Sequence, residues 1–308
     1  MQTRDELIAT LDSAKAWVQW GVDYFEQHQI YFGHGTENAL DEAAWLVLHA
    51  LEMPFDVALN EVPRPLATEQ RQAIYRLFEA RVTTRKPLAY LINEAWFCGL
   101  KFYVDERVLV PRSPIGELIV NGFAPWWPAD RPVIRVLDIG TGSGCIAIAC
   151  RYAFPDASVD AVDISSDALA VAKKNIELHQ CEGRVNAIES DLFGALEGRQ
   201  YDIIVSNPPY VDAEDIASMP DEFRHEPQIG LAAGDDGLDF AIRILQAAPR
   251  YLGDDGILIV EVGNSEAALA ERFPTVPFMW LAFEYGGHGV FLLTAAELKQ
   301  HHKTFLKA

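Results

Sequence analysis

Residues 133–144 read VIRVLDIGTGSG, a short apolar run that passes directly into three closely spaced glycines. A run of this length, bounded by turn residues, is typical of a strand that is buried on both faces in a parallel sheet. Residues 145–152 continue as an apolar segment of helical character. Strand, glycine loop and helix in this order predict the first βα unit of an α/β domain.

The same alternation continues downstream of the glycines. Helical patterns cover 165–179, where Ser165 is a suitable N-cap, and 238–251. Further strand patterns occur at 158–163, 185–189, 201–206, 256–262, 278–283 and 290–293. The last two are joined by a short turn, Gly286-Gly287-His288-Gly289, which predicts an antiparallel edge pair. The pattern predicts a doubly wound, Rossmann-like sheet.

Upstream of this sheet, residues 1–86 are predicted to form a helical domain that recognises a substrate partner or caps the site. Thr3 and Glu6 have the spacing of a capping box, and residues 7–18 place their apolar side chains on one helical face. Further helices are predicted over 40–51 and from Thr68 onwards. Residues 87–112 contain three short aromatic runs, at 88–91, 95–98 and 101–104, and are predicted to form a β-hairpin linker. Residues 113–308, beginning with a helix at 115–123, form the predicted catalytic domain.

Composition narrows the class of protein. The formal net charge is −20, which disfavours binding to naked nucleic acid and favours a basic protein partner. No apolar run has membrane-spanning length, and the polar N-terminus lacks a signal-peptide core. The cysteines lack metal-ligand spacing: Cys98, Cys145, Cys150 and Cys181. We therefore expect a cytoplasmic protein that has neither a metal site nor a membrane association.

The glycine loop predicts a nucleotide-like cofactor. Asp163 ends the second strand, where a carboxylate accepts hydrogen bonds from ribose hydroxyls. Cys145 stands where the dinucleotide fingerprint requires its third glycine, so that motif is not matched, and no Walker lysine is present. Asp138, just before the glycines, would repel a pyrophosphate but attract an amine or a sulfonium. This combination suits S-adenosylmethionine.

Two further acidic or amide positions follow later strands. Asp191 ends the third strand and is predicted either to accept from the adenine amino group of the cofactor or to cap a helix. Asn207 follows the fourth strand, at the edge of the sheet where ligands bind in such folds.

The tetrapeptide Asn207-Pro208-Pro209-Tyr210 has the chemistry of an amine-binding loop. Pro208 and Pro209 have no N–H, and each restrains the residue before it to an extended backbone. The Asn207 side-chain oxygen and the Pro208 carbonyl can therefore accept both hydrogens of one planar –NH₂ group. Tyr210 offers an aromatic face to that plane. The target can be a glutamine amide or the exocyclic amine of adenine in nucleic acid.

The loop after the tetrapeptide leaves two readings open. His225 and Glu226 either line the substrate entrance or stabilise the loop, and the polar run 212–221 is a candidate lid within the predicted loop 212–236.

These features together resemble the protein-(glutamine-N5) methyltransferase family over essentially the whole chain. The resemblance is most specific at residues 205–211 and at His225-Glu226-Pro227. Of the two bacterial branches, the chain is more similar to the one acting on a large-subunit ribosomal protein. The segments that indicate this branch are 31–36 (YFGHGT), 96–99 (WFCG) and 110–118 (VPRSPIGEL). The release-factor branch usually has a different acidic pattern after Pro-Arg and a tryptophan at the position of Leu192.

The resemblance implies a seven-stranded class I methyltransferase domain, S-adenosylmethionine as cofactor, and a glutamine of the third large-subunit ribosomal protein as substrate. The same reaction on a release factor and adenine-N6 methylation are the alternatives. Asn207, Pro208 and Tyr210 are the implied catalytic residues, and Pro209 joins them in gripping the amide. The positions that match cofactor contacts are Gly140, Thr141, Gly142, Ser143, Gly144, Asp163, Leu192 and Asn207.

Overall fold

The computed structural model describes residues 3–211, 219–231, 234 and 237–307. By its internal contacts the chain divides into two compact units, Met1–Glu94 with Pro220–His225, and Ala95–Met219 with Glu226–Ala308. The candidate lid falls largely on residues 212–218, which lie outside the described residues. The division into 1–86, 87–112 and 113–308 stays a prediction.

The first unit is helical, as predicted. Its helices are α1 (Arg4–Thr10), α2 (Ala14–Gln27), α3 (Ala39–Ala50), α4 (Thr68–Thr84) and α5 (Leu88–Ile92). The capping box at Thr3 and Glu6 is confirmed, since the Thr3 N–H donates to Glu6 Oε2 at 2.8 Å. The single helical face over residues 7–18 is wrong: the helix ends at Thr10, and Ser13 caps a second helix by accepting from the Ala16 N–H.

The helical unit also contains a buried charged cluster. Arg81 is fully buried and donates to Glu42 at 2.6 Å, while Glu222, from the segment Pro220–His225, accepts from Arg85 at 2.9 Å. Glu222 also accepts from the Tyr31 N–H at 3.0 Å. Each buried carboxylate in this cluster therefore has a guanidinium partner.

The predicted hairpin is present but contains only two of the three aromatic runs. Strands β1 (Ala95–Phe97) and β2 (Leu100–Phe102) pair antiparallel, with Ala95 opposite Phe102. Residues 88–91, which the sequence grouped with them, lie in α5 instead. Pro87 precedes this helix, and Asn93, with φ of 53°, ends it in the left-handed conformation.

The second unit is built on the predicted seven-stranded sheet, which is confirmed. Its strands are β3 (Arg135–Ile139), β4 (Ser158–Asp163), β5 (Val185–Glu189), β6 (Tyr201–Ser206), β7 (Leu252–Glu261), β8 (Met279–Trp280) and β9 (Val290–Thr294). They lie in the order β5-β4-β3-β6-β7-β9-β8, and only β9 runs antiparallel to its neighbours β7 and β8. The antiparallel edge pair is therefore confirmed.

Helices cover both faces of this sheet. They are α6 (Ile115–Val120), α7 (Cys145–Ala153), α8 (Ser166–Leu178), α9 (Asp239–Ala247), α10 (Glu266–Arg272) and α11 (Ala295–Phe305). Adjacent residues of β3 enter different apolar cores, Val136 with Ile203 and Ile257 in one, and Leu137 with Ile204 and Leu258 in the other. This alternation explains why β3 reads as a continuous apolar run: both of its faces are buried.

Besides α5, two helices were not anticipated from the sequence. These are α10 and the C-terminal α11, which begins with a capping box between Thr294 and Glu297. The Thr294 N–H donates to Glu297 Oε2 at 2.8 Å. That spacing is visible in the sequence and was the available signal for α11. None of the described helices is long and apolar enough to cross a membrane.

Candidate active site

The predicted site residues come together at one edge of the sheet. The parallel strands β3, β4 and β6 end at this edge. The glycine loop follows β3, Asp163 is the last residue of β4, and Asn207 follows β6. A Cβ built on Gly140 would lie 3.9 Å from the Asn207 carbonyl oxygen and from Pro208 Cα. The glycine loop and the Asn207–Tyr210 loop are therefore direct neighbours.

The glycine loop forms an open cradle above α7. Gly142 has φ of 53°, and a Cβ placed on it would meet nothing within 4 Å. The loop is held from below by the buried Asn175, whose Nδ2 donates to the Ser143 carbonyl at 2.8 Å and to the Tyr103 carbonyl at 2.9 Å. The glycine loop is therefore open at Gly142, and Asn175 holds its backbone in place at Ser143.

Asp138 is completely buried beneath this cradle. Its Oδ2 accepts from the Thr141 hydroxyl at 2.5 Å and from the Ala147 N–H at 3.1 Å. Its Oδ1 is buried and has no hydrogen-bond partner among the described residues. Burial raises the pKa of Asp138 to about 7. A buried acceptor without a donor calls for a further partner, which a bound ligand can supply.

Asp163 lies on the other side of the cradle. Its carboxylate accepts from the Gly142 N–H and from the Ser165 N–H, both at 2.9 Å. Burial raises the pKa of Asp163 above its usual value. Each carboxylate oxygen retains acceptor capacity beyond these bonds, so the assignment to ribose hydroxyls stays a prediction.

Asp191 and Leu192 follow β5 at the same edge. Arg243 donates to both carboxylate oxygens of Asp191, at 2.8 and 2.7 Å, in a half-exposed pair. The side chain that fixes this turn is Ser190, which donates to the Leu192 carbonyl and accepts from the Ala195 N–H. The roles of Asp191 and Leu192 in cofactor binding stay predictions, and Arg243 was not anticipated.

The Asn207–Tyr210 loop is anchored through Tyr210. The Tyr210 hydroxyl donates to Glu261 Oε1 at 2.9 Å, and the Ser265 hydroxyl donates to the Tyr210 carbonyl at 3.3 Å. A Cβ on Gly263 would lie 2.5 Å from the Tyr210 ring, so only glycine permits this packing. Asn207 is half-buried and Pro208 is buried.

Glu261 is the functional residue that sequence reasoning missed. It ends β7, one position beyond the Ser206–Val260 register pair, and is buried. Ser113 donates to its second oxygen at 2.6 Å. Burial raises the pKa of Glu261 to about 7. A lone acidic residue at the end of the apolar run 256–262 was the available signal.

The loop residues His225 and Glu226 have structural partners. Within the second unit, Arg112 binds both oxygens of Glu226 at 2.7 Å, and the Val110 N–H donates to the same carboxylate at 3.2 Å. Within the helical unit, His225 Nε2 lies 3.0 Å from the Thr84 carbonyl. These contacts favour the loop-stabilising reading for both residues.

Comparison with known proteins identifies the chain's relatives. Residues 128–224 match the family model "Methyltransferase small domain". The catalytic domain of hMettl16 in complex with the MAT2A 3′UTR hairpin 6 has a similar fold, with a TM-score of 0.50 at 17% identity over 78% of this chain and 87% of that one.

Two relatives match almost the whole chain. The ribosomal protein uL3 glutamine methyltransferase of Francisella tularensis is 49% identical over 99% of this chain and 98% of its own length. The protein of the same name from Xanthomonas campestris is 47% identical over 96% and 94%, respectively. The family resemblance drawn from the residues is therefore confirmed, and the chain belongs to the ribosomal protein uL3 glutamine methyltransferases.

Proposed function

We propose that this protein transfers a methyl group from S-adenosylmethionine to the side-chain amide nitrogen, N5, of a glutamine in ribosomal protein uL3. The observation that carries the proposal is the contact between the glycine loop and the loop Asn207-Pro208-Pro209-Tyr210. This contact supports a site in which the proposed amide-binding segment lies directly beside the proposed cofactor cradle. The choice of uL3 rests on the two relatives of that name.

The residues of the cradle fit S-adenosylmethionine. The buried Asp138 has an oxygen without a donor, and the cofactor's ammonium group can supply one. The open space at Gly142 accommodates close approach of the ligand, and Asp163 is in reach of the same loop. When bound, the cofactor supplies an electrophilic methyl group on a sulfonium. Asp138→Asn should weaken its binding about tenfold by calorimetry, because the amide puts a donor where an acceptor is needed.

Asn207 and Pro208 orient the substrate amide. An amide nitrogen is a weak nucleophile because its lone pair is delocalised into the carbonyl. The Asn207 side-chain oxygen and the Pro208 carbonyl accept its two hydrogens, which fixes the plane of the amide and directs the nitrogen towards the glycine-loop side. Catalysis by positioning can account for several kcal/mol of barrier lowering, roughly 7–11 kcal/mol in well-oriented systems.

Tyr210 forms the wall of the amide site. Because its hydroxyl is held by Glu261, the ring has a fixed orientation against which a planar group can pack. The amide proton becomes acidic once the nitrogen is alkylated, and it leaves to water.

The acidic charge of the chain supports a basic protein as substrate. We infer that the partner is uL3, either free or in an assembly intermediate, and that the reaction takes place in the cytoplasm. Naked nucleic acid and membranes are not expected partners.

The test is methyl transfer from labelled S-adenosylmethionine to purified uL3, to a release factor and to DNA, in parallel. We expect label in uL3 alone, and Asn207→Ala should abolish transfer while the protein remains folded. Label in the release factor or in DNA instead of uL3 would overturn the proposed substrate. Near-normal transfer by folded Asn207→Ala would overturn the proposed role of the loop.

A further inference from the structure

The order of strands determines from which side a polypeptide substrate reaches Asn207. The cradle lies beyond β3 and β4, on one side of β6, and β7 and β9 lie on the other side. Because β9 is antiparallel to β7, with Val290 opposite Glu261, residues 281–289 connect β8 to β9 at the same edge of the sheet. With the cofactor on the β3 side, the β7–β9 side is left for the substrate.

Residues 284–289, which we name the rim loop, pack against the residues around Tyr210. A Cβ on Gly287 would lie 2.7 Å from Pro114, and one on Gly289 would overlap the backbone of Gly263. Gly263 in turn packs on the Tyr210 ring. The rim loop is therefore separated from the amide-binding loop by a single residue.

The backbone of the rim loop is fixed while its aromatic residue is exposed. The half-buried Glu117 accepts from the Glu284 N–H at 3.0 Å and from the Tyr285 N–H at 3.4 Å. The side chain of Tyr285 projects into solvent and is 82% exposed, the highest value among the exposed large hydrophobic residues described. A tyrosine whose backbone is held in place provides contact area at lower entropic cost than one on an unrestrained loop.

The segment 110–118 connects this loop to the catalytic residues. Its Ser113 binds Glu261, which holds Tyr210, its Pro114 packs on Gly287, and its Glu117 holds the backbone at Tyr285. In the sequence this segment only marked a branch of the family. In the structure it contacts both Glu261, at the end of β7, and the rim loop before β9.

We propose that Tyr285 is a docking residue for the substrate polypeptide, and that Glu117 is its positioning residue. The proposed occupant is a basic segment of uL3 that contains the target glutamine, so the inference rests on the proposed function. The exposed Glu284 beside Tyr285 and the net charge of −20 favour a basic segment. The ring of Tyr285 packs against that segment while its glutamine enters the Asn207–Tyr210 loop.

Fluorescence anisotropy of labelled uL3 measures this docking without requiring turnover. We expect Tyr285→Ala to raise the Kd for uL3 about tenfold, the size of effect seen at aromatic contact residues. Tyr285→Phe should retain most of the affinity, Glu117→Ala should weaken binding to a lesser extent, and calorimetry should give an unchanged cofactor Kd for all three.

The matched control is Tyr152→Ala. Tyr152 is a 50% exposed tyrosine near the end of α7, which starts at the catalytic edge and runs away from it. Equal Kd values for Tyr285→Ala and Tyr152→Ala would overturn the docking role, and so would a Tyr285→Ala protein that has lost cofactor binding. Absence of methyl transfer by the unsubstituted protein would count against the proposed function instead, because the anisotropy values remain readable.

Discussion

Glu42 and Glu222 of the helical unit are buried in a different way from Asp138 and Glu261 of the sheet unit, whose buried Glu226 has a guanidinium partner in Arg112. In the helical unit, Glu42 and Glu222 are almost inaccessible, and each lies within salt-bridge distance of a guanidinium. In the sheet unit, Asp138 and Glu261 are equally buried but are hydrogen-bonded to hydroxyl or N–H groups, and burial raises the pKa of both to about 7. Ion pairing of buried carboxylates is typical of a structural cluster. A buried carboxyl group without a cationic partner, whose pKa is raised, is typical of a functional site.

The largest expected effect is on the paired cluster. Arg81→Met leaves Glu42 and Glu222 buried with one fewer cation, which should cost about 3–5 kcal/mol of stability. Denaturant unfolding followed by fluorescence would measure it. The control is Arg64→Ala, which removes an exposed 3.5 Å pair with Asp12 and should change stability by less than about 1 kcal/mol. A similar small loss for both variants would show that the cluster is not structural.

The second prediction concerns the pH dependence of stability. Here a substitution, at Asp138, is expected to stabilise the protein, whereas Arg81→Met destabilises it. The pKa of Asp138 is about 7 in the folded state against an ordinary value of 3.8. Between these values the folded protein holds a proton that the unfolded chain releases. The stability linked to Asp138 is therefore complete below pH 3.8 and is lost as the pH rises through 7.

Asp138→Asn removes this titration. Relative to the unsubstituted protein, the variant should gain about 2–3 kcal/mol between pH 5 and pH 8, measured as the difference in unfolding free energy without cofactor. An identical pH dependence for the two proteins would mean that Asp138 titrates normally and that the contrast between the paired cluster and Asp138 is wrong.

The third prediction concerns Tyr210 and Glu261. Tyr210→Phe and Glu261→Ala each remove the same hydrogen bond, so each should lower kcat about tenfold and the double variant should lower it no further. Cofactor affinity should stay unchanged. Multiplying losses would mean that Glu261 acts on the reaction independently of Tyr210.

The smallest effect is expected at the hydroxyl behind Glu261. Ser113→Ala removes a 2.6 Å hydrogen bond to a carboxylate that Tyr210 still contacts. We expect a two- to threefold loss of kcat, because a hydrogen bond contributes about 1 kcal/mol and only part of it reaches Tyr210. A loss of kcat larger than that of Tyr210→Phe would mean that Ser113 does not act through Glu261 and Tyr210.

The sequence predicted what depends on local pattern. The glycine loop, the N-cap Ser165, the tetrapeptide at 207–210 and most strand runs lie where periodicity and turn chemistry placed them. The exceptions are the run predicted at 278–283, of which only Met279–Trp280 is strand, and the run predicted to begin at 256, where β7 begins at Leu252. The break between α1 and α2 and the helix at 88–92 were missed because apolar spacing alone does not mark a cap or distinguish short helix from strand.

The remaining parts of the site depend on contacts between distant residues. Glu261 meets Tyr210 across 51 positions, and Arg243 meets Asp191 across 52. Glu222 lies in the chain after the tetrapeptide but belongs to the helical unit, where it contacts Tyr31 across 191 positions. Periodicity carries no information about such pairs, which arise only when the sheet order brings strand ends together or when a loop packs elsewhere.

The most direct test of the account is fragment mass spectrometry of uL3 after incubation with this enzyme and S-adenosylmethionine. We expect one added methyl group on the side-chain nitrogen of a single glutamine, and no added methyl group with Asn207→Ala. A methyl group on any other side chain, or an equally methylated product with Asn207→Ala, would contradict it.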